Sequence, residues 1–556
     1  MRKTWWKESI IYQIYPRSYN DSNNDGVGDI PGIIEKLDYI KSLGVDIIWI
    51  CPVYRSPNDD NGYDISDYYK IHEEFGTMRD FDRLLKEIHD RDMKLIMDLV
   101  ANHTSDEHYW FEESRSSRDN PRRDFYIWRD GKNGGPPNNW QSFFGGSAWE
   151  YDKKTGQYYL HLFTKKQPDL NWENKEVRNS IYDMMHFWLK KGIDGYRMDV
   201  ISLISKRNYE DAPNQGFNDT IENIYANGPK IHEYLQEMNR EVLSKYDIMT
   251  VGEGPGISLR EGLKYVQEDR NELNMIFHFG HMFIDQGPAG KFYPIPYDLV
   301  HFKEVFVHWD SLMKEGGWTS IFLGNHDFPR IVSRFGNDSE YHKQSAKALA
   351  LMLMTLRGTT YVYQGEEIGM TNVKFESIED YRDIETLNAY QEAMEKGRDE
   401  KDFMEAVYIH GRDNTRTPMQ WNSENNAGFS EVEPWIRVNP NYEKINVTAQ
   451  ENDPDSILNF YRSMIRIRKA NPCLVYGEFE VIDILNSRIF AYKRKDEDNL
   501  FVVIINFTDE VIPFKLAEEQ LEDPGEVLRR NYDDKMDLKN GMINLKPWEA
   551  ILFKVY

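Results

Sequence analysis

Cysteine is almost absent: Cys51 and Cys473 are the only two among 556 residues, too few for a disulfide framework. Long apolar runs are missing as well. No stretch approaches the roughly 18 apolar residues of a membrane-spanning helix, and the opening Trp5-Trp6-Lys7-Glu8 lacks the unbroken apolar core of a secretory signal. Positive charge is scarce, 68 Lys and Arg against 93 Asp and Glu, giving a net charge of −25 and a pI near 5.1. Nucleic acid and anionic membranes would be repelled over most of such a surface. No HExxH zinc signature, internal repeat or low-complexity tract occurs. These absences lead to an expected cytoplasmic protein, a monomer or weak dimer without an organic cofactor, whose ligand is neutral or cationic. Aromatic residues, by contrast, are plentiful at 14%, with 14 Trp and 34 Tyr.

The length fits about three domains by the usual size range, or fewer if one is a barrel of about 250 residues carrying insertions. Short runs rich in β-branched and aromatic residues lie at 10–15, 47–51, 95–100, 195–200, 248–252, 275–279, 320–323 and 360–363. Between them, segments such as 30–43, 78–91, 177–190, 228–243 and 345–356 repeat apolar residues three and four apart, as helices covering a barrel do. The expected architecture is an α/β fold, a (β/α)8 TIM-type barrel over 1–103 and 173–476. The polar and aromatic stretch 104–172 is too long for a βα loop and predicts an inserted domain over the barrel mouth. From 477 to 556 apolar and polar residues alternate, predicting a C-terminal antiparallel β-sandwich.

Active sites of such barrels form where strands end, so charged residues there matter most. The third run ends Asp98-Leu99-Val100-Ala101-Asn102-His103, the fourth Gly195-Tyr196-Arg197-Met198-Asp199-Val200, the fifth Val251-Gly252-Glu253-Gly254 and the seventh Gly324-Asn325-His326-Asp327. Period-two alternation sets Arg197 and Asp199 on one face, opposite Tyr196, Met198 and Val200. Each segment alone reads as a strand cap or a structural ion pair. Together they offer carboxylates, imidazoles and a guanidinium, the equipment of glycoside hydrolysis, in which one carboxylate attacks the anomeric carbon and another protonates the leaving oxygen. A metal-assisted hydrolase is the rival, but the histidines lie on different strands with no i, i+4 pair.

These four segments, in this order, resemble the four signature regions of the α-amylase superfamily, and the similarity runs from Trp5 nearly to the C-terminus. The resemblance implies Asp199 as nucleophile, Glu253 as acid/base and Asp327 as the carboxylate gripping sugar hydroxyls. It implies that Arg197 orients Asp199, while Asp98, His103 and His326 bind the sugar. Asp199 beside Arg197 is then expected to stay ionised and Glu253 to hold a proton. Non-catalytic relatives with a membrane anchor and degraded signatures exist, but here the three carboxylates are intact and no anchor is seen.

Two further stretches, Asp60-Asn61-Gly62-Tyr63 and Gly411-Arg412-Asp413-Asn414-Thr415-Arg416, resemble the oligo-1,6-glucosidase and α-glucosidase branch. There the matching Asp60 and Arg416 would hold the 4-hydroxyl of a terminal glucose while Tyr63 stacks on its ring. The substrate implied is a small oligosaccharide or disaccharide, cut from its non-reducing end. Val200 resembles the residue of α-1,6-cleaving members, a lean worth roughly 1–3 kcal/mol of discrimination. Maltose, sucrose and sucrose isomerisation stay open as alternatives. Two departures bear on them: Gly254, expected to open the leaving-group pocket, and Phe328, expected to make part of it apolar. Phe144, Phe163 and Gln167 fall in segments like the family's substrate-lining loops. Finally, Asp21-Ser22-Asn23-Asn24-Asp25-Gly26-Val27-Gly28-Asp29 offers oxygen at alternate residues and resembles the first part of a calcium loop. A structural Ca2+ held by Asp21, Asn23, Asp25, Val27 and Asp29 is expected, because these side chains would repel one another without a cation.

Overall fold

The computed structural model describes residues 3–213, 217–515, 525–536, 538–539 and 541–555. Met1 and Arg2, part of the charged N-terminus, lie outside them. Eight parallel strands form the central sheet: β1 (Ile10–Ile14), β2 (Ile47–Ile50), β3 (Lys94–Val100), β4 (Gly195–Asp199), β5 (Met249–Glu253), β6 (Met275–Phe277), β7 (Ser320–Ile321) and β8 (Thr359–Tyr363). Their order is β6-β5-β4-β3-β2-β1-β8-β7, sequential around a barrel with β8 paired to β1. Between β6 and β7 no ladder is present among the described residues. Ser320 Oγ bridges that seam instead, donating to the Ile276 carbonyl at 2.8 Å.

The strands are buried on both faces, so they read as continuous apolar runs. Tyr196 and Met198 of β4 join the outer core under the helices. Residues such as Ile11, Trp49, Ile96, Met249 and Phe277 fill the barrel interior. The covering helices include Met78–His89, Lys175–Lys191, Ile231–Glu241 and His342–Thr355. The single helix expected over 30–43 is two, Ile30–Glu35 and Leu37–Leu43, because Lys36 leaves helical geometry at φ −102°, ψ 3°. Helices Ile384–Glu395 and Glu400–His410 follow β8 and went unmarked in the sequence.

Within 104–172 a short helix, Tyr109–Ser114, accompanies a three-stranded sheet of Trp128–Arg129, Gln157–Leu160 and Trp149–Asp152. A bridge from His103 to Asp169 joins the start of this excursion to its end. Beyond 477, five antiparallel strands face a three-stranded sheet. Their alternation sorts two cores. Ile489, Ala491, Val502 and Ile504 pack between the sheets, whereas Phe490, Tyr492, Phe501 and Val503 turn toward the barrel helices.

Candidate active site

One guanidinium organises the ends of β3, β4 and β5. Register places Asp98 beside Arg197 and Val100 beside Asp199, so the pleat brings these side chains to one inner face. Arg197 Nη1 contacts Asp98 Oδ1 and Asp199 Oδ1, each at 2.7 Å, and Nη2 contacts Glu253 Oε2 at 2.7 Å. Trp49 Nε1 donates to the other Asp98 oxygen at 2.7 Å, and the Val200 amide donates to Glu253 Oε2 at 2.9 Å. All four charged groups are buried.

Three carboxylates around one cation would leave a buried charge of −2 if all ionised, which a low-dielectric interior resists. Burial accordingly pushes Asp98 up to about 6 despite Arg197. Asp199 is also raised well above the usual carboxylate range: burial leads, Arg197 opposes it, and Glu253 and Asp98 add to it. The guanidinium is divided three ways and offsets only part of that rise.

Val200 differs from its expected place. It stands past the strand end in the left-handed region, φ 36°, ψ 40°, unusual for a β-branched residue. The turn directs its amide to Glu253 and packs its side chain with Phe144, Phe163 and Leu203, not on the outer face with Tyr196 and Met198. Gly254 does not open space either. A Cβ built there would lie 2.4 Å from Ile257 Cδ1, so the neighbouring isoleucine fills the gap.

A second charged cluster lies beyond β7 and β8. Arg416 Nη2 contacts Asp327 Oδ1 at 2.9 Å, and its Nε donates to the His326 carbonyl. Asp60, expected with Arg416 to hold the 4-hydroxyl of a terminal glucose, contacts Arg412, Nη2 to Oδ1 at 3.3 Å. Arg412 also reaches Asp327 at 3.3 Å and the buried Asp383 at 2.5 Å. Arg412 stands four residues before Arg416, the residue to which the family resemblance points. The one-turn helix Asp413–Arg416 aligns both arginines, and their spacing of four was the available signal. Asp383 carried no signal.

Burial works to raise Asp327, but His326, Arg412 and Arg416 hold it well below the usual carboxylate range. Since burial lowers His326 to about 3, the imidazole is neutral at neutral pH and the two guanidiniums carry that effect. Asp60 is different: burial pushes it up to about 7 even against Arg412 and Arg416.

Between the clusters the expected lining residues converge. Gln167 Nε2 donates to Asp60 Oδ2 at 3.1 Å and lies 3.3 Å from His103 Nε2. Burial lowers His103 to about 4, so it too is neutral at neutral pH. Phe163 leans on His103 with ring centroids 5.0 Å apart, and Arg412 sits 4.7 Å over the Phe144 ring. Tyr63 stacks on His326 at 5.2 Å, the planes 9° apart. Phe328 packs with Phe279 and Phe283, centroids 5.8 and 6.0 Å away, under the Arg334 guanidinium.

The 21–29 loop lies apart from these groups, and its carboxylates are already occupied. Asp21 accepts from the amides of Asn23, Asn24 and Gly26, Asp25 from that of Val27, and Asp29 caps the following helix through the Gly32 amide. The loop's own N–H groups thus offset the repulsion that had seemed to demand a cation. Among the described residues no group of three or more His, Cys, Asp or Glu is placed to hold a metal.

The model of the α-amylase catalytic domain matches residues 13–477. The chain is 55% identical to the oligo-1,6-glucosidase of Parageobacillus thermoglucosidasius over 561 residues, covering 100% of both chains. It is 56% identical to that of Bacillus cereus over 566 residues, again covering 100% of both. Among solved structures, an isomaltulose synthase from Klebsiella sp. superposes with a TM-score of 0.97 at 44% identity and 100% coverage of each chain. Strand order, the Arg197-centred carboxylates and this full-length similarity agree: the chain belongs to the α-amylase family of glycoside hydrolases.

Proposed function

We propose that this protein releases terminal α-glucose from the non-reducing end of short isomalto-oligosaccharides, cleaving α-1,6 bonds with retention of configuration. Asp199 attacks the anomeric carbon as Glu253 passes a proton to the leaving oxygen. Glu253 then takes a proton from water, which displaces Asp199 from the glucosyl ester. The observation that carries the reading is the polar group at the glucose end: Asp60 pairs with Arg412 and accepts from Gln167 Nε2, a clamp suited to the far hydroxyls of a terminal glucose. The full-length similarity to oligo-1,6-glucosidases supports the linkage. Hydrolysis over sucrose isomerisation is supported by the 278–286 segment, which contains no arginine. Initial rates on isomaltose, panose, maltose, sucrose and trehalose test this, with isomaltose expected to lead. Maltose or sucrose ahead by about tenfold, or isomaltulose as a product of sucrose, overturns it.

Two lesser assignments belong to the same reading. Two buried, unpaired cysteines suit a cytoplasmic setting. A calcium ion at Asp21, Asn23, Asp25, Val27 and Asp29 is compatible with the loop, because the Asp25 carboxylate, accepting from the Val27 amide and the Asn23 side chain, keeps free lone pairs, and Gly26, at φ 90°, makes the turn. A Tm unchanged by calcium and by a chelator would retire that site.

A further inference from the structure

Asp383 occupies an unusual place, fully buried and shared between a helix and the sugar pocket. It caps the helix Ile384–Glu395, accepting from the amides of Glu385 and Thr386 at 3.3 and 3.2 Å and from Thr386 Oγ1 at 2.9 Å. The same carboxylate accepts from Arg412 through Nε at 2.9 Å and Nη2 at 2.5 Å, and Arg416 Nη1 stands 3.6 Å away. Arg412 meets Asp60 and Asp327 only at 3.3 Å each. Its grip from behind is therefore much tighter than its contacts toward the pocket.

That asymmetry has a physical consequence. Two guanidiniums four residues apart repel, and a long side chain held only by slack contacts would collapse onto the nearest carboxylate. A fixed anion behind the pair absorbs this pull. Burial opposes ionisation of Asp383, but Arg412 and Arg416 hold it well below the usual carboxylate range. The helix it caps also reaches the inserted segment, where Asn388 Nδ2 donates to the Phe144 carbonyl at 3.2 Å, and Phe144 lies under Arg412.

We propose that Asp383 is a positioning residue that holds Arg412 at the distance from Asp60 needed to grip the far hydroxyl of a terminal glucose. It touches no substrate. The proposal rests on the terminal-glucose reading above.

The test uses Asp383→Asn in the full chain, since asparagine caps helices as well as aspartate and preserves shape while removing the charge. Inhibition by D-glucose and by 4-deoxy-D-glucose is measured against hydrolysis of a chromogenic aryl α-glucoside. Wild type should prefer glucose, and the variant should bind glucose about 10- to 100-fold more weakly, the range for losing an oriented charged hydrogen bond. 4-Deoxyglucose should change far less, KM should rise more than kcat falls, and Asp383→Glu should restore part of the preference. Unchanged glucose inhibition overturns the proposal. So does equal weakening of both sugars, the signature of a generally loosened pocket. Wild type that ignores glucose would fail at an earlier point, bringing down the terminal-glucose reading itself.

Discussion

The two charged clusters of this pocket use similar parts in different proportions. Around Arg197, three carboxylates share one guanidinium; around Arg412 and Arg416, the carboxylates of Asp60, Asp327, Asp383 and, at 3.4 Å, Glu385 share two, with Lys291 on Glu385 as a further cation. The first cluster is short of positive charge, and its Asp98 and Asp199 are raised. In the second, Asp327 and Asp383 are held low. A site in which one carboxyl must give a proton to the leaving oxygen and regain one from water gains from leaving negative charge undercompensated, whereas a site that only grips hydroxyls gains from fixed charges. Asp60, raised to about 7, is the exception within the second cluster. It shares Arg412 with two stronger anions.

The largest effect should come from breaking the first cluster. Asp199→Asn is expected to cut glucose release from isomaltose by more than about a thousandfold. Glu253→Gln should do the same, with a smaller loss on an activated aryl glucoside whose leaving group needs no proton. Full activity in either variant would refute the roles assigned.

Stability should move in opposite directions in the two clusters. Asp199→Asn removes a crowded negative charge and should raise Tm. Asp327→Asn unbalances two buried guanidiniums and should lower stability by about 3 kcal/mol. Scanning calorimetry on the pair decides the matter, and shifts of the same sign would erase the contrast drawn between them.

Val200 sharpens a finer point. Val200→Thr should shift the isomaltose-to-maltose ratio of kcat/KM toward maltose by roughly 1–3 kcal/mol, leaving glucose inhibition unchanged. A ratio that does not move would leave Val200 only its amide contact to Glu253.

The smallest effect is in pH dependence. Asp60 and Asp98, with folded pKa values raised above their unfolded ones, bind more protons folded than unfolded as pH rises from about 4 to about 7 for Asp60 and to about 6 for Asp98. Stability from each is thus present at low pH and declines through that window, by at most ~1.4 kcal/mol per pH unit per proton. Asp327, held low, contributes the reverse, present above about 4 and lost on acidification. Unfolding midpoints of Asp60→Asn between pH 5 and 7 should therefore fall less steeply with pH than those of wild type, taking the window from the folded value of about 7.

Sequence alone determined the eight barrel strands, the positions of Asp98, Asp199 and Glu253 at or near strand ends and of Asp327 in the segment after β7, and the turn of Arg197 and Asp199 to one face. Periodicity is local, and a strand's pleat assigns faces without knowledge of its neighbours. What it did not hold is how charges are shared. Arg412 rather than Arg416 pairs with Asp60, three carboxylates divide Arg197, Ile257 fills the space beside Gly254, and Asp383 anchors the clamp from behind. Each of these depends on distances between segments tens to hundreds of residues apart, and on burial that only the assembled barrel imposes. Val200 marks the boundary between the two: its β-branched side chain reads as strand, yet the packed mouth of the barrel holds it in a left-handed turn.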